Sequence, residues 1–297
     1  MIGRIINPLL DIWQFIRALG ERMDKIHMGL ISAGVAFYGM FAVFPGLAAI
    51  IAFWGLWYDP GVIQDYVHVA EEFVPPEAMQ IIQMQVDALT AGGRTQLGWT
   101  TFVSFMIATI AARAGVNALV RGLNAAYGVR GLSTVFGFVL AYLLTLAIVG
   151  VVFLGLVTIV VVPIVLNFLI TEEMQSWMTT ALPWGGMLLI VLVGIGILYR
   201  YGPNVRPRTP IFTWGSIVAT TAWGLASLAF SAYLGSFNSY NRIYGSIGAV
   251  VALLMWFYLA AFSVMLGAIF NVELRRRRRI LVVQEKRRLS RRKDGTA

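Results

Sequence analysis

Residues 243–272, IYGSIGAVVALLMWFYLAAFSVMLGAIFNV, form a stretch of thirty residues without a charged side chain. As a helix rising 1.5 Å per residue, it is long enough to cross a hydrocarbon core of about 30 Å, even when tilted. Glu273 follows, and five consecutive arginines occupy 275–279. Because basic residues that flank a span resist translocation, we expect this end on the cytoplasmic side. The stretch therefore predicts an integral membrane protein and orients the spans that precede it.

The composition of the whole chain agrees with a membrane location. Of its 297 residues, 59% are apolar and 12% are charged, and the mean hydropathy is +0.77. These values lie outside the range of soluble globular proteins. The chain has no cysteine, which excludes disulfides and cysteine-based metal or nucleophile chemistry. The apolar runs extend along almost the whole chain, which favours one helical bundle.

Counting back from the arginines predicts six spans, with both termini cytoplasmic, in a multi-pass membrane protein. The uncharged run 131–171 could hold two short spans, but a hairpin there would place the arginines outside, so we interpret it as one span. This topology puts 21 of the 23 basic residues inside and eight of the 14 acidic residues outside. The predicted fold is an all-α integral membrane protein, with segments 1–28 (interfacial), 29–274 (membrane) and 275–297 (basic cytoplasmic tail). The predicted spans are 29–58, 95–112, 132–166, 181–199, 211–234 and 245–272.

Two segments outside the spans are also predicted to be helical. In residues 8–28, apolar side chains recur at helical spacing between charged ones, which indicates an amphipathic helix. Such a helix suits either the cytoplasmic interface or the inner face of the bundle, and the pattern does not choose between them. Residues 59–94 are acidic and are divided by Pro75 and Pro76, which predicts a short helical outer loop.

A candidate anion site lies at the inner end of the second span. Arg113, Asn117, Arg121 and Asn124 are spaced so that they share one helical face. Arginine can bind phosphate through two parallel hydrogen bonds, and asparagine can fill the remaining positions. The alternative is that these arginines only reach the lipid interface and set the topology. If these residues form an anion site, Arg113→Gln should impair anion binding or transport without reducing membrane insertion.

Further candidate residues follow from position and chemistry. Pro45 lies within the first span and predicts a bend there, beside any central cavity lined by spans 1, 5 and 6. Candidate polar contacts, for which packing or loop roles are the alternative, are Tyr38, Asn238, Asn241 and Tyr244. Expected anchors to anionic lipid head groups at the cytoplasmic face are Arg200, Arg275, Arg276, Arg277, Arg278 and Arg279. No nucleic acid partner is expected, because aromatic residues are not interleaved with the basic tail.

Several short motifs resemble those of a known family. They are AGVAFY at 33–38 with FP at 44–45, LNAAYG at 123–128, LYRYGP at 198–203, FSAY at 230–233 and YGSIGA at 244–249. In order and spacing, residues 28–274 resemble the YihY/BrkB family of bacterial inner-membrane proteins, which implies a six-span fold. Similar sequences usually close the last span with Gly-Ala-Glu-Leu-Asn, whereas Ile269 stands at the glutamate position here. The role of that carboxylate therefore does not transfer.

Some members of the similar family are labelled ribonuclease BN. The residues of this chain do not favour ribonuclease activity. Hydrolysis of RNA needs clustered metal ligands or a positioned acid and base. The chain has only His27 and His68, which the topology puts on opposite sides of the membrane. No catalytic residue, metal site or cofactor is therefore expected. The sequence favours a transporter or binder of a small polar or amphipathic molecule, a class that includes phosphate-bearing molecules. The alternative is a non-transporting envelope scaffold or virulence-type factor acting through its outer loop.

The topology predicts which positions an impermeant thiol reagent reaches in intact cells. Single cysteines can be introduced cleanly, because the chain has none of its own. Cysteines at Asp87, Glu173 and Asn238 should be labelled from outside, whereas those at Asn7, Gly131, Asn204 and Gly295 should require permeabilised cells. Labelling of the Gly295 variant from outside would contradict the six-span topology.

Overall fold

The computed structural model describes residues 8–57, 79, 83, 94–131, 134–169, 172–236 and 246–294. Within these ranges the helices are α1 (Pro8–Lys25), α2 (Met28–Trp57), α3 (Arg94–Tyr127), α4 (Thr134–Leu169), α5 (Glu172–Tyr201), α6 (Trp214–Ser236) and α7 (Ser246–Asp294). The six helices α2 to α7 each contain a stretch long and apolar enough to cross a membrane. The prediction of an all-α, six-span integral membrane protein is confirmed.

Helices α3 and α7 continue well past the predicted ends of their spans. Helix α3 continues past residue 112, where the second span was expected to end, as far as Tyr127. Helix α7 continues through the arginines to Asp294. The predicted outer loop lies outside the described residues, apart from Met79 and Gln83, which are helical. Charged residues therefore end the apolar stretch without ending the helix, since arginine and lysine are good helix formers.

Helix α2 continues without a break through Pro45. Ser32 and Ala36 on this helix are buried, whereas Phe37 and Phe41 are about half exposed. The helix therefore has one packed face and one apolar face that suits lipid. The predicted bend at Pro45 stays a prediction.

The chain divides into two compact units. The first comprises residues 1–29, 120–224 and 262–297, and the second comprises 30–119 and 225–261. In the second unit, α2 packs closely on α3 and α7. A Cβ atom on Gly39 would lie 3.3 Å from the ring of Phe257, and one on Gly115 would lie 3.4 Å from the Cβ of Tyr38.

In the first unit, α4 and α5 pack side by side in opposite directions. A Cβ on Gly155 would lie 3.9 Å from Met187, in the middle of α5, and one on Gly194, further along α5, would meet the earlier α4 residue Val151. As the residue number rises along α4, the number of its contact residue on α5 falls, so the two helices are antiparallel. A connection of two residues between the helices also favours this arrangement.

Helix α1 has two different faces in the same unit. The rings of Phe15 on α1 and Phe270 on α7 meet edge to face, with centroids 5.1 Å apart. On the other side, Ile12, Trp13 and Ile16 are each more than half exposed. The helix thus packs on the bundle through one face and leaves an apolar face that suits a lipid interface.

Helices α6 and α7 touch backbone to backbone at Gly215 and Gly267. A Cβ atom on either glycine would overlap the carbonyl oxygen of the other. Ala219 lies one turn further along α6 and is fully buried. Small residues at such a crossing let membrane helices approach closely.

Asn271 binds the start of α6 at this crossing. Its Oδ1 accepts the N–H of Gly215 at 2.8 Å, and its Nδ2 donates to Oγ1 of Thr213 at 2.9 Å. Thr213 and Ser216 also form a capping box, because the N–H of each donates to the side-chain oxygen of the other at 3.0 Å. The first turn of α6 therefore has partners for its backbone donors where water is scarce.

We expect Gly267→Ala to destabilise the protein by about 1–3 kcal/mol, because the added methyl group must push α6 and α7 apart. Gly150→Ala on α4 is the matched control, since nothing lies within 4 Å of an added Cβ there. Thermal unfolding of the two purified variants in detergent measures the difference. Equal melting temperatures would contradict the close crossing.

Candidate functional site: a charged pocket between α1, α3 and α7

The carboxyl end of α3 is closed by its own backbone. Gly128 adopts a φ of 67°, a left-handed conformation that glycine allows without strain. Its N–H donates to the carbonyl of Ala125 at 3.1 Å, and the N–H of Val129 donates to the carbonyl of Asn124 at 2.9 Å. This pair of bonds is a Schellman motif, and it explains why the helix stops after Tyr127.

Arg22 on α1 completes the cap. Its Nε and Nη2 donate to the carbonyl of Ala126 at 3.2 Å and 3.0 Å. A cation at a helix carboxyl end also interacts favourably with the helix dipole. Arg22 is thereby held beside the end of α3, with further N–H donors of its guanidinium available for other acceptors.

A cavity of about 330 Å³ lies against this cap. Its volume falls within the range of small-molecule sites. Three of its walls are α1, the end of α3 and α7. The lining residues are Ala18, Glu21, Arg22, Lys25, Ile26, Ala125, Gly128, Glu273 and Arg276. We refer to this cavity as the charged pocket, because it combines three cations and two carboxylates with small apolar surfaces.

Glu273 is the buried charge of the pocket, with only 4% of its surface exposed. Its Oε1 lies 3.5 Å from Nε of Arg277, and its Oε2 lies 3.8 Å from Nη1 of Arg276. Oε2 is enclosed and accepts no hydrogen bond from the part of the chain that the structure describes. Burying a carboxylate is costly unless its acceptors are filled. This oxygen is therefore a buried acceptor whose hydrogen-bonding capacity the described residues leave unfilled.

The other carboxylate of the pocket, Glu21, differs from Glu273 in exposure and in its partner. Glu21 is exposed and accepts a hydrogen bond from Nε of Arg17 at 2.8 Å. Such a surface pair contributes little to stability or to binding. Lys25, one turn further along α1, is also exposed. The strong electrostatic features of the pocket are thus the held Arg22 and the buried Glu273.

Comparison with known proteins gives the family. A family model described as Virulence factor BrkB matches residues 19–294. The chain belongs to the BrkB family. This match includes every residue that lines the pocket except Ala18.

Relatives of this BrkB-family chain are named as membrane proteins or by likeness to a ribonuclease. YfkH of Bacillus subtilis, whose name calls it ribonuclease-like, is 28% identical over 90% of this chain and 97% of its own length. A UPF0761 membrane protein of Chromobacterium violaceum is 24% identical over 91% of this chain and 64% of its own length. One from Tolumonas auensis is 30% identical over 38% of this chain and 42% of its own length. No solved structure matches the chain.

The four residues of the predicted anion site fall in different surroundings. Arg113 and Asn117 are half-buried in the second unit, whereas Arg121 and Asn124 belong to the first. Arg121 is exposed, but Asn124 is buried, and its Oδ1 accepts the N–H of Asn204 at 2.9 Å. The Asn124 amide therefore holds the α5–α6 connection. A ligand role for these residues stays a prediction.

The other predicted contacts are only partly described. Tyr38 is 40% exposed and packs beside Gly115 in the second unit. Asn238, Asn241 and Tyr244 lie outside the described residues. No ligand role of these residues is tested by the structure.

Several of the predicted lipid anchors make contacts within the protein. Nη1 of Arg200 lies 3.5 Å from the carbonyl of Thr209, in the α5–α6 connection. The guanidinium of Arg275 lies 5.9 Å from the ring centre of Tyr127, and that of Arg277 lies 4.9 Å from the ring centre of Phe15. Arg276, Arg278 and Arg279 are exposed. Lipid contact by the arginines stays a prediction.

Sequence reasoning missed the pocket residues Arg22, Lys25 and Glu273. The contact between Arg22 and Ala126 joins positions 104 residues apart, so no local pattern reveals it. The sequence did contain a signal for Glu273. Arg276 and Arg277 follow it by three and four residues, a spacing that predicts ion pairs on one helical face. In the part of the chain that the structure describes, no group of three or more His, Asp or Glu side chains could hold a metal ion.

Asn124→Ala separates the structural role of this residue from its predicted ligand role. We expect a loss of about 0.5–1.5 kcal/mol in the free energy of unfolding, because the N–H of Asn204 loses its part-buried hydrogen bond to the Asn124 side chain. Asn117→Ala, on the same helix, is the control and should change stability less. Thermal unfolding in detergent is the measurement. Wild-type stability together with lost ligand binding would favour the ligand role instead.

Proposed function

We propose that this protein binds a small amphipathic molecule that carries phosphate, as the recognition step of a transporter in the bacterial inner membrane. The observation that carries the proposal is the charged pocket, where Arg22, Lys25 and Arg276 line one cavity together with apolar side chains. The bases point to an anion, and the apolar walls point to a ligand that is not wholly polar.

The arrangement of the cations supports phosphate in particular. The guanidinium of Arg22 is held in place by the carbonyl of Ala126, so little side-chain freedom is lost when it binds a ligand. A guanidinium and a phosphate form short, charge-assisted hydrogen bonds in matching geometry. Lys25 on α1 and Arg276 on α7 add further positive charge to the pocket.

The position of the pocket on α1 supports an amphipathic ligand. The same helix that supplies Arg22 and Lys25 exposes Ile12, Trp13 and Ile16 along another side. A helix of this kind suits the plane of a membrane interface. On the topology that the positive-inside rule predicts, this interface is the cytoplasmic one. A molecule with an apolar part in the lipid could then reach the pocket with its charged part.

We infer a binding role rather than catalysis of RNA hydrolysis. The name of YfkH applies to that relative. In this chain, a hydrolytic site would need positioned acids and bases, and the two histidines, His27 and His68, do not supply a cluster.

Equilibrium binding of dihexanoylphosphatidylglycerol to the detergent-purified protein tests the proposal. Lys25→Gln and Arg276→Gln should each weaken binding about 3- to 10-fold, since each removes one charge-assisted contact at an exposed position. Binding should also weaken as salt is added. Arg278→Gln is the matched control for Arg276→Gln, because it removes an equal charge from α7 at an exposed residue that does not line the pocket.

The outcome that contradicts the proposal is equally specific. If the lipid does not bind, the pocket does not recognise phosphate. If Arg278→Gln weakens binding as much as Arg276→Gln does, the protein attracts the lipid only through its overall charge of +9.

A further inference from the structure

We propose that the ligand of the charged pocket is a zwitterion, whose primary ammonium group binds Glu273 while its phosphate binds Arg22 and Lys25. This inference rests on the proposed function and names the ligand class more closely. It assigns to Glu273 the role of an ammonium site.

The first argument is the state of the Glu273 carboxylate. Glu273 lines the pocket and is nearly fully buried, and its enclosed Oε2 accepts no hydrogen bond from the described residues. The nearest cation, Nη1 of Arg276, is 3.8 Å away, beyond hydrogen-bonding distance. Because the side chain of Arg276 is 63% exposed, solvent competes for it. A donor that enters the pocket can supply the bond that the protein leaves unmade.

The second argument is the effect of Glu273 on a simple anion. A carboxylate in the wall of a phosphate site repels phosphate, because like charges destabilise each other more strongly where water is excluded. A pocket that binds only phosphate would therefore have a higher affinity without the Glu273 carboxylate. A ligand that carries a cation beside its phosphate converts this repulsion into attraction.

The third argument is the kind of cation that fits. A primary ammonium group has three N–H donors, and Oε2 needs one of them. A quaternary ammonium group presents only methyl groups and is usually recognised by aromatic faces. Among the described residues that line the pocket, none is aromatic. The lining therefore favours a primary over a quaternary ammonium group.

The size of the pocket indicates how much of the ligand it holds. A volume of about 330 Å³ is close to the lower limit for small-molecule sites. It suits an aminoalkyl phosphate group rather than whole acyl chains. Either a phospholipid head group, with its chains outside the pocket, or a free aminoalkyl phosphate ester presents this chemistry.

A methylation series measures the ammonium site directly. The probes are dihexanoylphosphatidylethanolamine, its N-methyl and N,N-dimethyl derivatives, and dihexanoylphosphatidylcholine. The wild-type protein should bind the first about 10-fold or more tightly than the last, since a buried hydrogen bond between charged groups has this effect. The largest single loss should occur at the final methylation, which removes the last N–H donor.

Glu273→Gln and Glu273→Asp are the matched variants. The glutamine has the same shape without the charge, so it should weaken binding of the ethanolamine lipid more than binding of the choline lipid, which loses charge attraction but no hydrogen bond. The aspartate keeps the charge and should keep part of the preference. Glycerophosphoethanolamine distinguishes the sources: weaker binding than the lipid favours a lipid head group, and equal binding favours a free ester, both with an ammonium site.

The inference is overturned if the wild-type protein binds the ethanolamine and choline lipids equally, or if Glu273→Gln keeps the full preference. Either result leaves phosphate recognition standing, because both lipids still bind. Failure of every probe to bind overturns the proposed function and this inference together. If Glu273→Gln does not fold, the methylation series on the wild-type protein still decides.

Discussion

The crossing of α6 and α7 at Gly215 and Gly267 is the contact on which the first unit depends. Neither glycine leaves room for a side chain, so the two backbones lie at the closest distance that helices reach. Asn271 on α7 then fixes the axial position of α6 relative to α7, because its side-chain amide hydrogen-bonds the first turn of α6. A close crossing with a directional hydrogen bond sets both the separation and the register of the pair. Packing of larger side chains alone would leave register less well defined.

This contact also determines where the charged pocket forms. On a helix, Gly267 and Asn271 share one face, whereas Phe270, Glu273 and Arg277 share another. With the first face held against α6, the second is directed to α1, where Phe270 meets Phe15 and Glu273 lines the cavity with Arg22. The burial of Glu273 therefore follows from the rotation of α7 that the glycine contact imposes. One face of α7 therefore packs on α6, and a different face lines the charged pocket.

The fold was predictable from the sequence to a greater extent than the site. Long uncharged stretches such as 243–272 identify membrane helices directly, because only a helix satisfies its own backbone in lipid. The anion site was sought at Asn124, whose type suits a ligand, but its amide holds the N–H of Asn204 80 residues away. Arg22 looked like an ordinary charge on an amphipathic helix until its carbonyl partner was known. Contacts between distant segments decide such roles, and no local spacing encodes them.

The uninterrupted length of α7 has a mechanical consequence. Its 49 residues make a rod of about 74 Å, more than twice the thickness of a hydrocarbon core of about 30 Å. From Gly267 to Asp294 the rod extends about 40 Å. Treated as a lever that pivots where it crosses α6, a tilt of about 5° displaces its carboxyl end by about 3.5 Å, given that length. Glu273, only six residues from the pivot, moves by less than about 1 Å in the same tilt. A small rearrangement at the pocket would therefore reach the basic end of the chain as a displacement several times larger.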